Sequence, residues 1–271
     1  MIIKKRVYTA KKVNPLIGVL LLLISIFLLI LTLPLGFLFG LLYNLATKRL
    51  VGVGEYCLKI AISIDQLGNV AMQHLLNLLW LKSGNYPFGN RDETISSAIG
   101  RNKRLGTLNA FGRFIDKLLD VLDPNHSLDS IDYYIEPTEQ IEERVAWVQL
   151  VEGKILMVRE HGRSVYGLPY GKREMGKTDL QSLQQGIWQQ LMVTIKSDSL
   201  VFIGIFEAKA DDGPPGNLIR TTCYYAQYTG EILPGPEARE VVALTYADRN
   251  MVGEVDQLIF DFLHKRGVLT P

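Results

Sequence analysis

"GKREMGKTDLQSLQQGIWQQLMV", residues 171–193, decides the fold of the second half of the chain. Thr178 and Gln181 have capping-box spacing, in which each side chain satisfies an orphan amide at the start of a helix. Leu180, Leu183, Ile187 and Leu191 recur at intervals of three and four, which predicts a helix with one buried stripe. Gly186 inside that helix costs about 1 kcal/mol against alanine, a deficit that tertiary packing absorbs.

Working outward, the pattern on both sides is that of strands. "RVAWVQLVEGKILMVREH" (144–161) reads as a hairpin with apolar runs on either side of a Glu152-Gly153 turn. "LVFIGIFEAKA" (200–210) and "LIRTTCYYAQYTG" (218–230) read as two further strands around the "DDGPPGN" loop. "VDQLIFDFLHKRGVL" (255–269) reads as a closing amphipathic helix with Leu258, Ile259, Phe262 and Leu263 inward. The expected architecture is an α/β/α sandwich with a mixed sheet over 144–271.

The order of the hairpin, "GLPYGKRE", the helix, "FEAKADDG", "TTCYYAQYTGE", "LTYADR" and a last helix resembles the Nudix hydrolase superfamily. That resemblance implies hydrolysis of a nucleoside diphosphate linked to another group, with Mg²⁺ held by glutamates of a conserved box. The box pattern is Gly, five residues, Glu, seven residues, Arg-Glu-apolar-any-Glu-Glu-any-Gly-apolar. Laid on this chain, Gly171 matches the first glycine, and Lys177 stands where the first glutamate belongs. Gln185 replaces the arginine, Gly186 the next glutamate, and Gln189 and Gln190 the glutamate pair. Met192 replaces the last glycine, while Ile187 and Val193 keep the apolar positions. Tyr170 stands where a second glycine is usual. The box is degenerate: the fold-setting positions survive and the charged ones do not.

Mg²⁺ needs a tight octahedron of oxygen ligands, with carboxylates supplying charge. Against the family pattern these substitutions move the site by +4 charge units. Like unit charges ~4 Å apart repel by about 4 kcal/mol at an effective dielectric of roughly 20. The expectation is a non-catalytic, pseudoenzyme-like module that needs no cofactor and binds no metal. Its electropositive pocket would hold a nucleotide or nucleoside diphosphate derivative through Lys172, Arg173 and Lys177, or the module would serve as an interaction surface. The alternative is an active pyrophosphohydrolase using Mg²⁺ and displaced carboxylates, with Glu174, Glu237 and Glu240 as candidates. A third reading puts the working part in the membrane block and makes the C-terminal domain a docking surface for a protein partner.

The first half of the chain is different in kind. No charged residue occurs from Pro15 to Thr47 in this chain of 271 residues. A bilayer span needs about 20 apolar residues, so a transmembrane or re-entrant helix is expected over 16–45, with a lipid bilayer as partner. A basic N-terminal segment (1–15) precedes it, with Lys4, Lys5, Arg6, Lys11 and Lys12. The basic bias favours a cytoplasmic N-terminus. A single pass would carry the C-terminus across, whereas a hairpin turning near Pro34 and Gly36 would leave the soluble domain cytoplasmic. A helical juxtamembrane region (46–126) and an acidic linker (127–143) complete the expected layout. Residues 48–117 carry net +5, 118–144 net −7 and 145–271 net −2.

Within the juxtamembrane region, "TLNAFGRFIDKLLDVLD" sets Leu108, Phe111, Ile115, Leu118, Leu119 and Leu122 on one face and Arg113, Asp116, Lys117 and Asp120 on the other. It would lie on the bilayer or pack against "VAMQHLLNLLWL" (70–81). "SIDQLGNV", "FGNRDETISS" and "DPNHSLDSID" resemble small bacterial and phage membrane proteins of unknown function, a likeness that implies no activity. Cys57 and Cys223 exclude a disulfide framework. His74, His126, His161 and His264 fall on separate elements with no ligand spacing, and no basic–aromatic stripe speaks for nucleic acid.

Overall fold

The computed structural model describes residues 14–135, 140–174, 176–211 and 214–271. The five basic residues before position 13 and the Pro137 break of the linker lie outside the described residues. The chain divides into two compact units. One runs to Gln73 and includes Gly89–Ile95; the other holds His74–Phe88 and Ser96–Pro271. The stretch read as one juxtamembrane region is therefore shared between them.

Helix α1 (Pro15–Ala71) dominates the first unit. The Asn14 side chain caps it by accepting from the Leu16 amide at 3.0 Å, and Pro15 follows where a missing N–H is harmless. At Arg49 the backbone leaves the helical region (φ 57, ψ −147) and the chain folds back on itself. The Phe37 and Tyr56 rings stack with centroids 6.1 Å apart, and a side chain at Gly40 would collide with Tyr56. The reversal thus lies at Arg49 rather than near Pro34 and Gly36. Pro34 stays inside the helix: a proline removes one hydrogen bond and bends a helix, but reversal needs a residue outside the helical basin. The arms are residues 15–48 and 50–71. Near the end of the second arm, buried Asn69 donates to the carbonyls of Asn90 (3.0 Å) and Glu93 (2.8 Å) and accepts from the Gly89 amide, pinning 89–95.

The second unit begins with helices. These are α2 (Gln73–Trp80, from His74 onward), α3 (Ile95–Leu105, from Ser96 onward), α4 (Ala110–Leu122) and the short α5 (His126–Asp129). Buried Asn102 joins α3 to the preceding loop, accepting from Tyr86 N at 3.0 Å and donating to Tyr86 O at 2.7 Å. On α4 the apolar face is split between inside and outside: Leu108 just before it is buried and Ile115 and Leu119 are half-buried. Phe111, Phe114, Leu118 and Val121 are exposed, whereas Asp116 is buried against Lys103 and Ser127. Paired with those groups, the carboxylate sits on the inner side, and the aromatic stripe is left outside.

Strands follow: β1 (Ile141–Trp147), β2 (Leu150–Val151), β3 (Lys154–Glu160) and β4 (Tyr170–Lys172). After α6 (Asp179–Leu191) come β5 (Thr194–Ile195), β6 (Val201–Lys209), β7 (Leu218–Tyr225), β8 (Tyr228–Thr229) and β9 (Ala238–Leu244). A 3-10 turn, Tyr246–Met251, and α7 (Glu254–Lys265) close the chain. The main sheet is mixed, in the order β4-β1-β7-β6, with β1 parallel to β7. A three-stranded sheet has the order β2-β3-β9, and β5 pairs with β8. Alternation along β1 splits the core. Val145 and Trp147 join Leu183, Ile187 and Leu191 of α6; Ala146 joins Ile259, Phe260 and Leu263 of α7.

The Glu152-Gly153 turn is present, with φ positive at both residues as a two-residue hairpin requires. Only Leu150–Val151 pairs across it, however, because residues 144–147 belong to the other sheet, between β4 and β7. On α7 Phe262 is half-buried against the core as expected, the fully buried aromatic is Phe260, and Leu258 faces out. The linker is partly regular as well: 127–129 fall in α5 and 141–143 in β1.

Candidate functional site

The box helix α6 forms as its sequence dictates. Thr178 Oγ1 accepts from the Gln181 amide (3.2 Å) and Gln181 Oε1 from the Thr178 amide (2.9 Å), a complete capping box. Leu183, Ile187 and Leu191 are fully buried and Leu180 half-buried. Gly171 and Gly186 let the helix approach β4 backbone to backbone: a Cβ at Gly186 would overlap the Tyr170 carbonyl and the Gly171 backbone.

Beside the helix lies a cavity of about 230 Å³. It is lined by Glu160, Lys172, Glu174, Gln185, Gln189, Gln190 and Glu237, among others. The structure thus brings Glu174 and Glu237 to one cavity together with Glu160, a residue that sequence reasoning missed. Glu240 lies elsewhere on β9, paired with Arg159 and accepting from the Tyr166 hydroxyl at 3.0 Å. Several polar groups around the cavity already have partners, whereas the buried Ser182 hydroxyl, which also lines it, has none among the described residues. Lys177 Nζ is 2.6 Å from Glu174 Oε2 and donates to Gln185 Oε1 at 2.6 Å. Gln190 Nε2 donates to Glu160 Oε1 (2.8 Å), and Gln190 Oε1 accepts from the Tyr170 amide (3.0 Å). The neutral amide of Gln190 thus ties helix to strands. The Gln189 and Gln190 carbonyls accept from the amides of Glu237 and Gly235. Among the described residues no three His, Cys, Asp or Glu side chains are grouped as a metal ion needs.

The three candidate phosphate-binding cations do not converge. Lys172 is exposed, 3.9 Å from Glu142. Arg173 turns under the sheet, between Glu143 (3.2 Å) and Asp179 (2.8 Å). Lys177 is engaged within its own loop.

Arg173 belongs to a row of alternating charge that crosses the main sheet. In register, Glu143 of β1 faces Arg220 of β7, and Arg220 faces Glu207 of β6. Arg220 lies 3.8 Å from Glu143 and 2.9 Å from Glu207, and Arg101 of α3 binds the other oxygen of Glu207 at 2.9 Å. Arg101, Glu207 and Arg220 are fully buried. A second, small cavity is lined by Arg144, Tyr166, Tyr170 and Asp256. Burial pushes the Asp256 carboxyl up to about 7, opposed by the Leu168 amide and Arg144. Burial likewise raises the Tyr170 hydroxyl to about 12. Asp256 sits in the first turn of α7, where an acid reads as a helix-end charge, so sequence alone gave no sign of its burial.

No family model matches the chain, and no curated protein matches it. Among solved structures, Nudix hydrolases and MutT proteins are similar to the C-terminal part of this chain, about 48% of it. The NUDIX hydrolase from Nitrosomonas europaea is 16% identical, with a TM-score of 0.39, over 48% of this chain and 92% of its own. The MutT protein from Bacillus halodurans is 20% identical, with a TM-score of 0.36, over 44% of this chain and 80% of its own. The MutT protein from Methanosarcina mazei Go1 is 10% identical, with a TM-score of 0.39, over 49% of this chain and 99% of its own.

Proposed function

We propose that the chain is a membrane-anchored, Nudix-like module in which the box helix serves as scaffold and the domain acts by interaction rather than by hydrolysis. The observation that carries this reading is the pairing within the box, with Lys177 held by Glu174 and Gln185, and Gln190 held by Glu160 and Tyr170. A Mg²⁺ ion does not fit this residue set. Glu174 is engaged by an ammonium, Glu160 by an amide donor, and the glutamines bring no charge. The same bonds favour an interaction surface over nucleotide capture, because Arg173 and Lys177 already have acidic partners. Anchoring is supported by the apolar first arm of α1, whose best window has mean hydropathy 3.2. The fold-back at Arg49 supports the hairpin form of anchor. With the basic N-terminal segment, this form of anchor favours a cytoplasmic soluble part.

The convergence of Glu160, Glu174 and Glu237 on one cavity favours the second reading, an active pyrophosphohydrolase. One experiment separates the two. The full chain in lipid nanodiscs is melted with and without Mg²⁺ or Mn²⁺ and assayed for phosphate release from a panel of nucleoside diphosphate derivatives. The expected result is an unchanged melting temperature and no release. Release that Glu174→Gln abolishes would establish the enzyme.

A further inference from the structure

We infer that the outer face of α2 and α4 is a lipid-binding surface that seats in the headgroup–acyl boundary of an anionic bilayer. The inference rests on the membrane-anchored reading and adds a second, peripheral contact to it.

The face is apolar to an extent rare in a soluble domain. On α4, Phe111, Phe114, Leu118 and Val121 follow at intervals of three, four and three, and each is about half exposed or more, with Val121 at 80%. On α2, Leu75, Leu78 and Leu79 are exposed, Leu78 at 76%. The two helices form one surface. The Trp80 and Phe111 rings lie 6.3 Å apart, Phe111 and Phe114 stack at 6.3 Å, and Asn109, the α4 cap, donates to Leu79 O at 2.7 Å. Contiguous apolar patches of this kind mark interaction sites, whereas scattered single exposed side chains do not.

The exposure is built in. Asp116 and Asp120 both bind Lys103 at 2.9 Å, and Ser127 donates to Asp116, so rotating α4 to hide its aromatics would break bonds to a buried carboxylate. Two observations name the occupant. The charges left exposed on α4 are Arg113 and Lys117, cations that complement an anionic headgroup layer. And α2 follows directly on α1 in the chain, so tethering by the apolar arm keeps these helices at high effective concentration near lipid.

The test uses the full chain in vesicles of phosphatidylcholine with a minority of phosphatidylglycerol. In a Cys57→Ser background, a nitroxide is attached at Leu118→Cys and, as reference, at Glu231→Cys, an exposed site near β8. The expected result is a label at 118 that is severalfold less accessible to an aqueous nickel chelate than the one at 231, and more accessible to membrane-dissolved oxygen. A 118 label as open to nickel as the 231 label, on protein that floats with the vesicles, would overturn the inference and leave the anchor standing. A 118 label closed to both reagents would overturn it in favour of a protein cover, such as a second copy. Protein that fails to float would overturn anchor and surface together.

Discussion

Asp256 sits in an environment that opposes its charge. It is buried beside Arg144, and its carboxyl is raised from 3.8 to about 7. A raised carboxyl pKa stabilises the fold fully below the unfolded value, and that contribution is lost as pH climbs toward 7. Asp256→Asn keeps an oxygen to accept from the Leu168 amide and removes the buried charge. The substitution is expected to raise the melting temperature at pH 8 and to leave it nearly unchanged at pH 4, as read by thermal melts across that range. An equal shift at both pH values would show that the charge is irrelevant. Two box residues carry a related lesson. Met192 adopts φ 59 where the family pattern has glycine, a conformation that costs a side-chain-bearing residue about 1–2 kcal/mol. Gly186 stands where the pattern has a glutamate, and a Cβ there would meet the β4 backbone. A glutamate at position 186 therefore has no room: the departures from the resembled pattern were legible in the sequence, while the close approach of α6 to β4 was not.

At the scale of elements, α6 was readable because its signals are local. A capping box and a three–four apolar repeat need no knowledge of the rest of the chain. The pairing of β1 was not readable, since its partners β4 and β7 arrive about 25 and 75 residues later and alternation alone does not name a neighbour. Nor was the burial of Asp116 on α4 readable, because hydrophobic periodicity assigns an acid to the solvent side and ignores a lysine on α3 that pairs with it. The charge row shows the same limit: Glu143, Arg220 and Glu207 look like ordinary solvent-facing alternates until the register lines them up. Its centre, Glu207, accepts from two buried guanidiniums at 2.9 Å each. Glu207→Gln leaves Arg101 and Arg220 in excess inside the fold, and breaking a buried pair in this way costs about 3–5 kcal/mol. Chemical denaturation is expected to show that loss, with α3 and the sheet unfolding together. A loss no larger than that of an exposed pair such as Lys48–Glu55 would mean that water reaches the row.

For the whole molecule, the two proposed kinds of attachment to lipid have different physics and separate cleanly. The first arm of α1, residues 15–48, is about 50 Å long at 1.5 Å per residue, more than the roughly 30 Å of a hydrocarbon core. Its side chains are almost all exposed in the protein itself, so only a lipid or protein environment removes them from water. Transfer of that much apolar surface is insensitive to ionic strength. The α2–α4 face, by contrast, combines a few apolar side chains with Arg113 and Lys117, and attraction of such cations to anionic lipid, about 1 kcal/mol per charge, is screened by salt. The full chain in vesicles should therefore resist high salt and alkaline carbonate and leave only with detergent. A variant lacking residues 15–48 keeps the arm that holds 89–95 through Asn69. It should still bind anionic vesicles in low salt, bind zwitterionic ones weakly, and come off both in high salt. Release of the full chain by salt alone would show that the apolar arm is not in the bilayer, and would remove the premise on which the lipid-facing reading of α4 depends.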